Sequence, residues 1–486
     1  MCAEKIWAHI KIGGNNFNIK ERVFRMKKYV KVLCLVLAMI LLIGAVAGCK
    51  KKDDGITRLS VSNWPNPEAN PAGFETYKTR KADFEAANAN IIIEPEEWVY
   101  DVKTYLAKAE GGTLPDLYYT PFTEFNKIID GGYAIDIKDK LIENGWYDQI
   151  SEDMLKVIEK DGEVYFIPKS SYTIGLVFNL DLLEKAGLVE EDGTPMAPKT
   201  LDELVDVARQ VTEKTGKAGF IFPTTNNQGG WYFTMLAWNY GVEFVKKDKN
   251  GDWKAAFNTD DCVKALQYIK DLKWKYDVLP ANTLVDANEI TKQIGSGMAG
   301  MSFMAPSSLN NMIKNYGMSK DSIGFSYVPA GPKNHVTLMG GSCVTFANTA
   351  TEKEVDAGFK WLVMENITPD LTEAYKQKQT DKILQDIEEN ELVGVIDTAV
   401  WNEKSETFSF LSQLSKEKCN VNYNHIRLFN ENKVDAHTEV EVCAQELYAL
   451  LDACIQEVLT NKDADCKALI KKAAEDYQRN FLDYEN

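Results

Sequence analysis

Hydrophobic and polar positions along this chain switch repeatedly between a period of two and a period near 3.6, the spacings of strands and helices. Ile56–Ser62 alternates and runs into the loop Ser62-Asn63-Trp64-Pro65. A helix is predicted around Tyr77–Ala87, a strand over Ile91–Glu94, and a second helix near Val102–Glu110. After the turn Gly111-Gly112, Leu114–Tyr119 reads as a short strand. This βαβαβ order predicts an α/β fold with a mainly parallel sheet under helices. Tyr172–Phe178 and Leu338–Phe346 read as further buried strands. Over Lys199–Val211, Leu201, Leu204, Val205, Ala208 and Val211 share a helix face. Thr200 and Glu203 have the spacing of a capping box at its start. Glu191–Thr194 and Lys249–Asp252 are Gly-containing turns of the hairpin kind. The second has acids but lacks the spacing and terminal Glu of a calcium loop. Residues His437–Leu482 are expected to be helical throughout.

The N-terminus changes the picture, because its pattern is that of an export signal. Lys27, Lys28 and Lys31 precede an uncharged run from Val32 to Gly48, which ends Val46-Ala47-Gly48-Cys49. A basic region, an apolar stretch too short to span comfortably, and small residues before a cleavage point define a signal peptide over residues 26–48. Residues 1–25 match no targeting element, so a start at Met26 is expected. Residues 49–55 read as a hydrophilic tether.

Composition then narrows the chemistry. The 486 residues are 45% hydrophobic and 26% charged, which excludes wholesale disorder and a polytopic membrane protein. The net charge is −17, and the first 48 residues hold eight basic against two acidic side chains, so the remainder is more acidic still. Such a body repels a phosphate backbone, and nucleic-acid binding is not expected. His9, His335, His425 and His437 are too few for a histidine-rich metal centre; neither metal nor cofactor is expected. There is no C-x-x-C, so zinc-ribbon and thioredoxin readings fail. Cys443 and Cys454 lie too far apart along a helix to bond each other. The cysteines past Cys49 read as small buried hydrophobes, with disulfides left open. There is also no G-x-S-x-G, P-loop, H-E-x-x-H or G-x-G-x-x-G. A glycosidase acid pair needs no fixed spacing and stays open as an alternative.

Aromatic residues beside small polar ones suggest a sugar site, since sugars stack C–H faces on rings while their hydroxyls need hydrogen-bond partners. Asn63-Trp64, Gly229-Gly230-Trp231-Tyr232 and Trp401-Asn402 fall in predicted loops at strand ends. Trp98, Trp146, Trp274 and Trp361 are assigned to the core.

The order of several motifs resembles the extracellular solute-binding proteins of ABC importers, the group that includes maltose-binding protein. Gly112-Thr113-Leu114-Pro115-Asp116-Leu117 is similar to the family's G-x-x-P-D strand, and Asp130–Asp136 to the segment after it. Asp161–Pro168 followed by Gly175–Leu183 resembles the first crossing between lobes. Pro198–Leu204 resembles a helix start, Gly297–Met301 a strand, and Tyr327–Pro332 with Gly340–Ser342 the second crossing. Val46–Cys49 likewise resembles the lipobox of bacterial lipoproteins.

The resemblance implies a two-lobed periplasmic-binding-protein-like fold of class II, each lobe a mainly parallel sheet flanked by helices, with the ligand between lobes. Residues 56–168 with 333–390 would form lobe 1, and 169–332 with 391–486 lobe 2. It implies a lipid-anchored protein, diacylated at Cys49, that delivers a small polar ligand, a carbohydrate, to importer permease subunits without catalysing a reaction. The expected contacts are Asn63, Trp64, Tyr119, Thr120, Phe122, Tyr172, Trp231, Tyr232, Gly341 and Trp401. Asp116 is expected to be structural. Two stacking positions of the maltose binder fall near Ser307 and in the helix around Glu446-Leu447, so its specificity does not carry over. The alternative is a surface-anchored polysaccharide-processing enzyme.

Overall fold

The first strand, β1 (Thr57–Val61), buries Leu59 and Val61. α1 (Pro71–Ala87) starts six residues before Tyr77 because local chemistry sets its end. Asn70 accepts the Gly73 N–H, and Pro71 loses nothing in a first turn whose N–H groups have no partner. β2 (Ile91–Pro95) pairs parallel with β1, and α2 (Val102–Glu110) occupies the expected span under an Asp101 cap. β3 (Leu117–Pro121) also pairs parallel with β1. Asp116 ties the two together: its carboxylate accepts from the Ser60 N–H at 2.8 Å and hydroxyl at 2.7 Å. These coordinates are a computed structural model that describes residues 54–396 and 398–485, and Thr57–Asn486 form one compact unit. The leader, Cys49 and most of the tether lie outside the described residues.

The chain then crosses to a second lobe through β4 (Phe166–Thr173) and β5 (Gly175–Asn179). The single strand expected over Tyr172–Phe178 divides at Ile174, whose N–H bonds Leu338 O instead of a ladder partner. α3 (Leu201–Thr215) begins after Thr200, whose hydroxyl accepts the Glu203 N–H at 3.2 Å. The return bond of the expected box comes one residue early, from Lys199 N–H to the Glu203 carboxylate at 2.7 Å. α4 (Gln228–Asn239) follows, then the expected hairpin of β6 (Val245–Lys247) and β7 (Trp253–Ala255). β8 (Met301–Met304), α5 (Leu309–Tyr316) and β9 (Ile323–Ser326) complete this lobe's sheet. Here β5 is flanked by β8 and β9, both antiparallel to it, where a parallel sheet was expected. Parallel character appears beside β8, where Ala218 bridges Ala299 and Ile221 N–H bonds Met301 O, and where Thr200 bridges Ala330.

β10 (Val336–Phe346) runs back through both lobes, followed by α6 (Glu352–Met364) and α7 (Glu373–Glu388). A complete capping box heads α6, between Thr351 and Glu354. The stretch expected as one C-terminal helix is three elements. β11 (Asp435–Thr438) gains a ladder from β10, and tertiary pairing overrides the helical pattern. α8 (Ala444–Thr460) and α9 (Cys466–Asn480) are separated by a turn that Asp465 recaps.

One core gathers Leu59, Leu117, Phe166 and Trp361; a second gathers Leu204, Phe233 and Tyr448; a smaller third, with Ile294, Phe325 and Ile426, backs the second sheet. The six described cysteines are unpaired, and four of them are buried. Trp146 and Trp361 are core residues as expected. Trp274 is not: it is 37% exposed, with its indole N–H on Val458 O. Trp98 is half-buried beneath the Lys108 ammonium.

Candidate ligand cleft

The site is built on one edge of β10. β4 pairs antiparallel with β10 from Met339 to Thr345. On the opposite edge, β3 pairs with Ser342–Phe346 and β11 with Val336–Met339. Gly340 and Gly341 are left between them without a ladder partner on that edge. β3 runs antiparallel to β10 and ends at Pro121; β11 runs parallel to β10 and ends at Thr438. The carboxyl ends of strands from the two lobes therefore face each other across a two-glycine gap. Open α/β sheets bind ligands outside such strand ends. Glycine is required at both positions by close approach: a Cβ on Gly340 would strike the Tyr172 hydroxyl, and one on Gly341 would strike Ser170 O and the Phe122 ring.

Side chains just beyond the two strand ends furnish the gap. Past β11, Glu439 accepts from the Tyr448 hydroxyl at 3.2 Å and lies beside the Trp231 indole. Burial raises the Glu439 pKa, the Trp231 indole and the Tyr448 hydroxyl oppose this, and the Glu124 charge adds to the rise. Glu124, just past β3, accepts from the Tyr100 hydroxyl at 2.6 Å and pairs with Lys127 at 3.1 Å. Tyr172 reaches over Gly340 from β4. Burial and then Glu439 push its phenol up to about 12, so it is a hydrogen-bond donor at neutral pH.

Trp231 was expected in an open loop, but it sits on the first turn of α4. The adjacent glycines do not open a loop; they let two helices touch. A Cβ on Gly230 would strike the Tyr448 backbone of α8. From α8, Asp452 accepts the N–H groups of Asn227 at 2.8 Å and Gly230 at 2.6 Å, capping α4 with a tertiary carboxylate. Trp231 is thereby held half-buried, edge-on to Tyr232 with centroids 4.8 Å apart. Tyr232 itself is 7% exposed and packs on Phe222.

Of the other expected contacts, Asn63 lies at the end of β1, half-exposed, at φ 60°, with its N–H on Trp98 O. Trp64 turns into the first core, edge-on to Tyr77 at 5.1 Å and stacked near Trp361 at 6.2 Å. Thr120 is buried, with its hydroxyl on Pro121 O. Phe122 packs between Phe125 and Gly341. Buried Tyr119 donates to Glu365. Trp401 does not join the group. It packs on Trp146 in the first core and lines a cavity of about 700 Å³ with Thr173, Thr337 and Ala436. Those three register opposite to Tyr172, Leu338 and His437, which puts the cavity on the other face of the crossing strands.

Glu124, Glu439 and Tyr448 were not among the expected contacts. Glu439 could not be placed while the chain from His437 onward was read as helix. Glu124 carried a usable signal, three residues past a strand end. Among the described residues, no cluster of three or more metal-ligating side chains occurs, and no helix is long and apolar enough to cross a membrane.

Residues 68–363 match the family model described as bacterial extracellular solute-binding protein. The chain belongs to that family. An arabinooligosaccharide-binding protein of Bacillus subtilis is 27% identical over 265 residues, 53% of this chain; the match spans 57% of that relative's own length. The GacH receptor of Streptomyces glaucescens has a similar fold, with a TM-score of 0.58 at 17% identity over 88% of this chain and 99% of its own. So does a cyclic alpha-maltosyl-1,6-maltose binding protein of Arthrobacter globiformis, with a TM-score of 0.59 at 18% identity over 88% of this chain and all of its own. The two-lobed fold implied by the motif order is therefore the fold of the chain.

Proposed function

We propose that this protein is the substrate-binding subunit of an ABC importer, that its ligand is a carbohydrate, and that a lipid on Cys49 holds it at the outer face of the membrane. The observation that carries the reading is the grouping of Trp231, Tyr172, Glu439 and Glu124 around the Gly340–Gly341 gap. A half-buried indole offers a stacking face, a protonated phenol donates, and two carboxylates accept from sugar hydroxyls. Asn63 adds an amide from the end of β1. The arabinooligosaccharide relative supports a sugar over a peptide. Val46-Ala47-Gly48-Cys49 after the apolar run supports the anchor. The protein would catalyse nothing, the energy for uptake coming from the partner ATPase.

A thermal-shift screen of the protein against mono- and oligosaccharides tests the ligand class, because a ligand of the folded state must raise the melting temperature by mass action. A saccharide that stabilises the protein and is recovered intact supports the reading. Recovery of shortened sugar would establish the enzyme alternative. For the anchor, Cys49→Ser should abolish lipid labelling and release the protein from membranes; persistent labelling refutes it.

A further inference from the structure

Across β10, between β4 on one edge and β3 on the other, three cations gather around one carboxylate. Glu365, just past α6, is almost fully buried; it pairs with Arg80 of α1 at 3.0 Å and accepts the Tyr119 hydroxyl. The Lys169 ammonium lies 4.2 Å from the Tyr119 ring centroid. Lys378 of α7 is near enough to feel Arg80 and to act on Lys169. Arg80 and Glu365 neutralise each other, so Lys169 and Lys378 are two uncompensated positive charges. Neither forms an ion pair with any described residue. Both are open to solvent, yet the surrounding protein withdraws enough water to lower both pKa values. In a chain of net charge −17, two neighbouring lysines with no ion-pair partner among the described residues are a local excess of positive charge.

Register places this excess in line with the cleft. On β10, Val344, Ser342 and Gly340 share the face of their partners Tyr119, Ser170 and Tyr172. The exposed Ser170 and Ser342 hydroxyls are 2.9 Å apart. Lys169 is the residue that bulges from β4 between the paired Pro168 and Ser170, which turns it onto Tyr119. One sheet face thus presents a phenol, two hydroxyls and an ammonium within about 10 Å, at ~3.3 Å per strand residue. Beyond Lys378, α7 lines an open groove of about 830 Å³ that also holds Asp381, Asp386 and Glu389. The positive excess is therefore confined to the end at Lys378, whose charge acts on Lys169.

We propose that Lys169 and Lys378 form an anion subsite, and that the saccharide received by this protein carries an acidic group, a carboxylate or a phosphate. The inference rests on the carbohydrate reading and narrows it. Calorimetric titration of the purified protein with matched probes tests it: short oligogalacturonates against galacto-oligosaccharides, glucuronoxylo- against xylo-oligosaccharides, sialyllactose against lactose, and galactose 1-phosphate against galactose. An acidic member should bind at least about tenfold tighter than its neutral partner, with the advantage shrinking toward ~1 M salt, where the Debye length is about 3 Å. Preference for the uronates or sialyllactose assigns a carboxylate, and preference for galactose 1-phosphate assigns a phosphate. The Lys169→Gln, Lys378→Gln double variant should lose that preference, keep its affinity for neutral sugar, and still unfold in one cooperative transition. Neutral sugars binding as tightly as acidic ones, or equal losses for both in the variant, overturn the subsite and leave the carbohydrate reading standing. Binding of no probe overturns both.

Discussion

Trp231 and Glu439 carry the strongest residue-level expectations. Trp231 is half-buried, with one edge on Tyr232 and its indole beside Glu439, so replacing it removes a stacking surface more than a core anchor. Trp231→Ala should weaken saccharide binding by roughly 1–3 kcal/mol, about 10- to 100-fold, with a smaller loss of stability; affinity and melting temperature on one variant decide this. Unaltered affinity with a large stability loss would reassign the residue to packing. Glu439 titrates in the opposite sense to a salt-bridged acid. Its folded pKa is raised, so the stability linked to its proton is present at low pH and lost as pH rises through the folded value. Glu439→Gln should accordingly stabilise the ligand-free protein at pH 7, and that gain should shrink as pH falls toward 4.5, the ordinary value for a glutamate. A gain independent of pH would show that ionisation is not its source. At this scale the sequence was legible for Thr200, which caps the helix after it, and for Asp116, whose motif marked it as structural and which bonds Ser60. It was not legible for Trp64, whose loop-like setting hid a ring buried against Trp361, nor for Lys169, whose aim depends on a bulge.

α2, with its own cap and apolar face, matched expectation, and β11, defined by a distant partner, did not. α2 spans its expected residues because Asp101 and the apolar face act within the helix itself. β11 is short, half-exposed and helix-like in pattern, and only its ladder with β10 makes it a strand. The contact of α4 with α8 is the element on which the site depends, since it sets both Trp231 and the Tyr448 hydroxyl. Gly230→Ala should force that contact apart and cost roughly 1–3 kcal/mol, the usual range for overpacking. It should weaken ligand binding as well, because Trp231 moves with the helix. Equilibrium denaturation with a binding assay checks both, and a variant as stable as the parent would show that the helices have room to spare.

Across the whole molecule, motif order was enough to reveal two lobes, because crossings and lobe-specific turns survive as short local signatures. The gap at Gly340–Gly341 was not legible: it exists only once β3, β4 and β11 are registered on β10, and no local pattern encodes register between strands hundreds of residues apart. Trp401 shows the same limit. It follows the last crossing, in a stretch expected in lobe 2, yet packs on Trp146 in the first core. Between the lobes, Lys247 of β6 lies 3.7 Å from Asp130, an exposed pair worth at most about 1 kcal/mol and easily broken. A ligand that touches Glu124 on one lobe and Trp231 on the other gains contacts as the lobes approach, so it shifts the population toward closure by its differential affinity for the two states. Small-angle X-ray scattering, with and without a saturating concentration of the saccharide that most stabilises the protein, tests this claim most directly. The account predicts a smaller radius of gyration in the complex. An unchanged radius at saturation would contradict it, since the ligand would then be held by one lobe or in a rigid site.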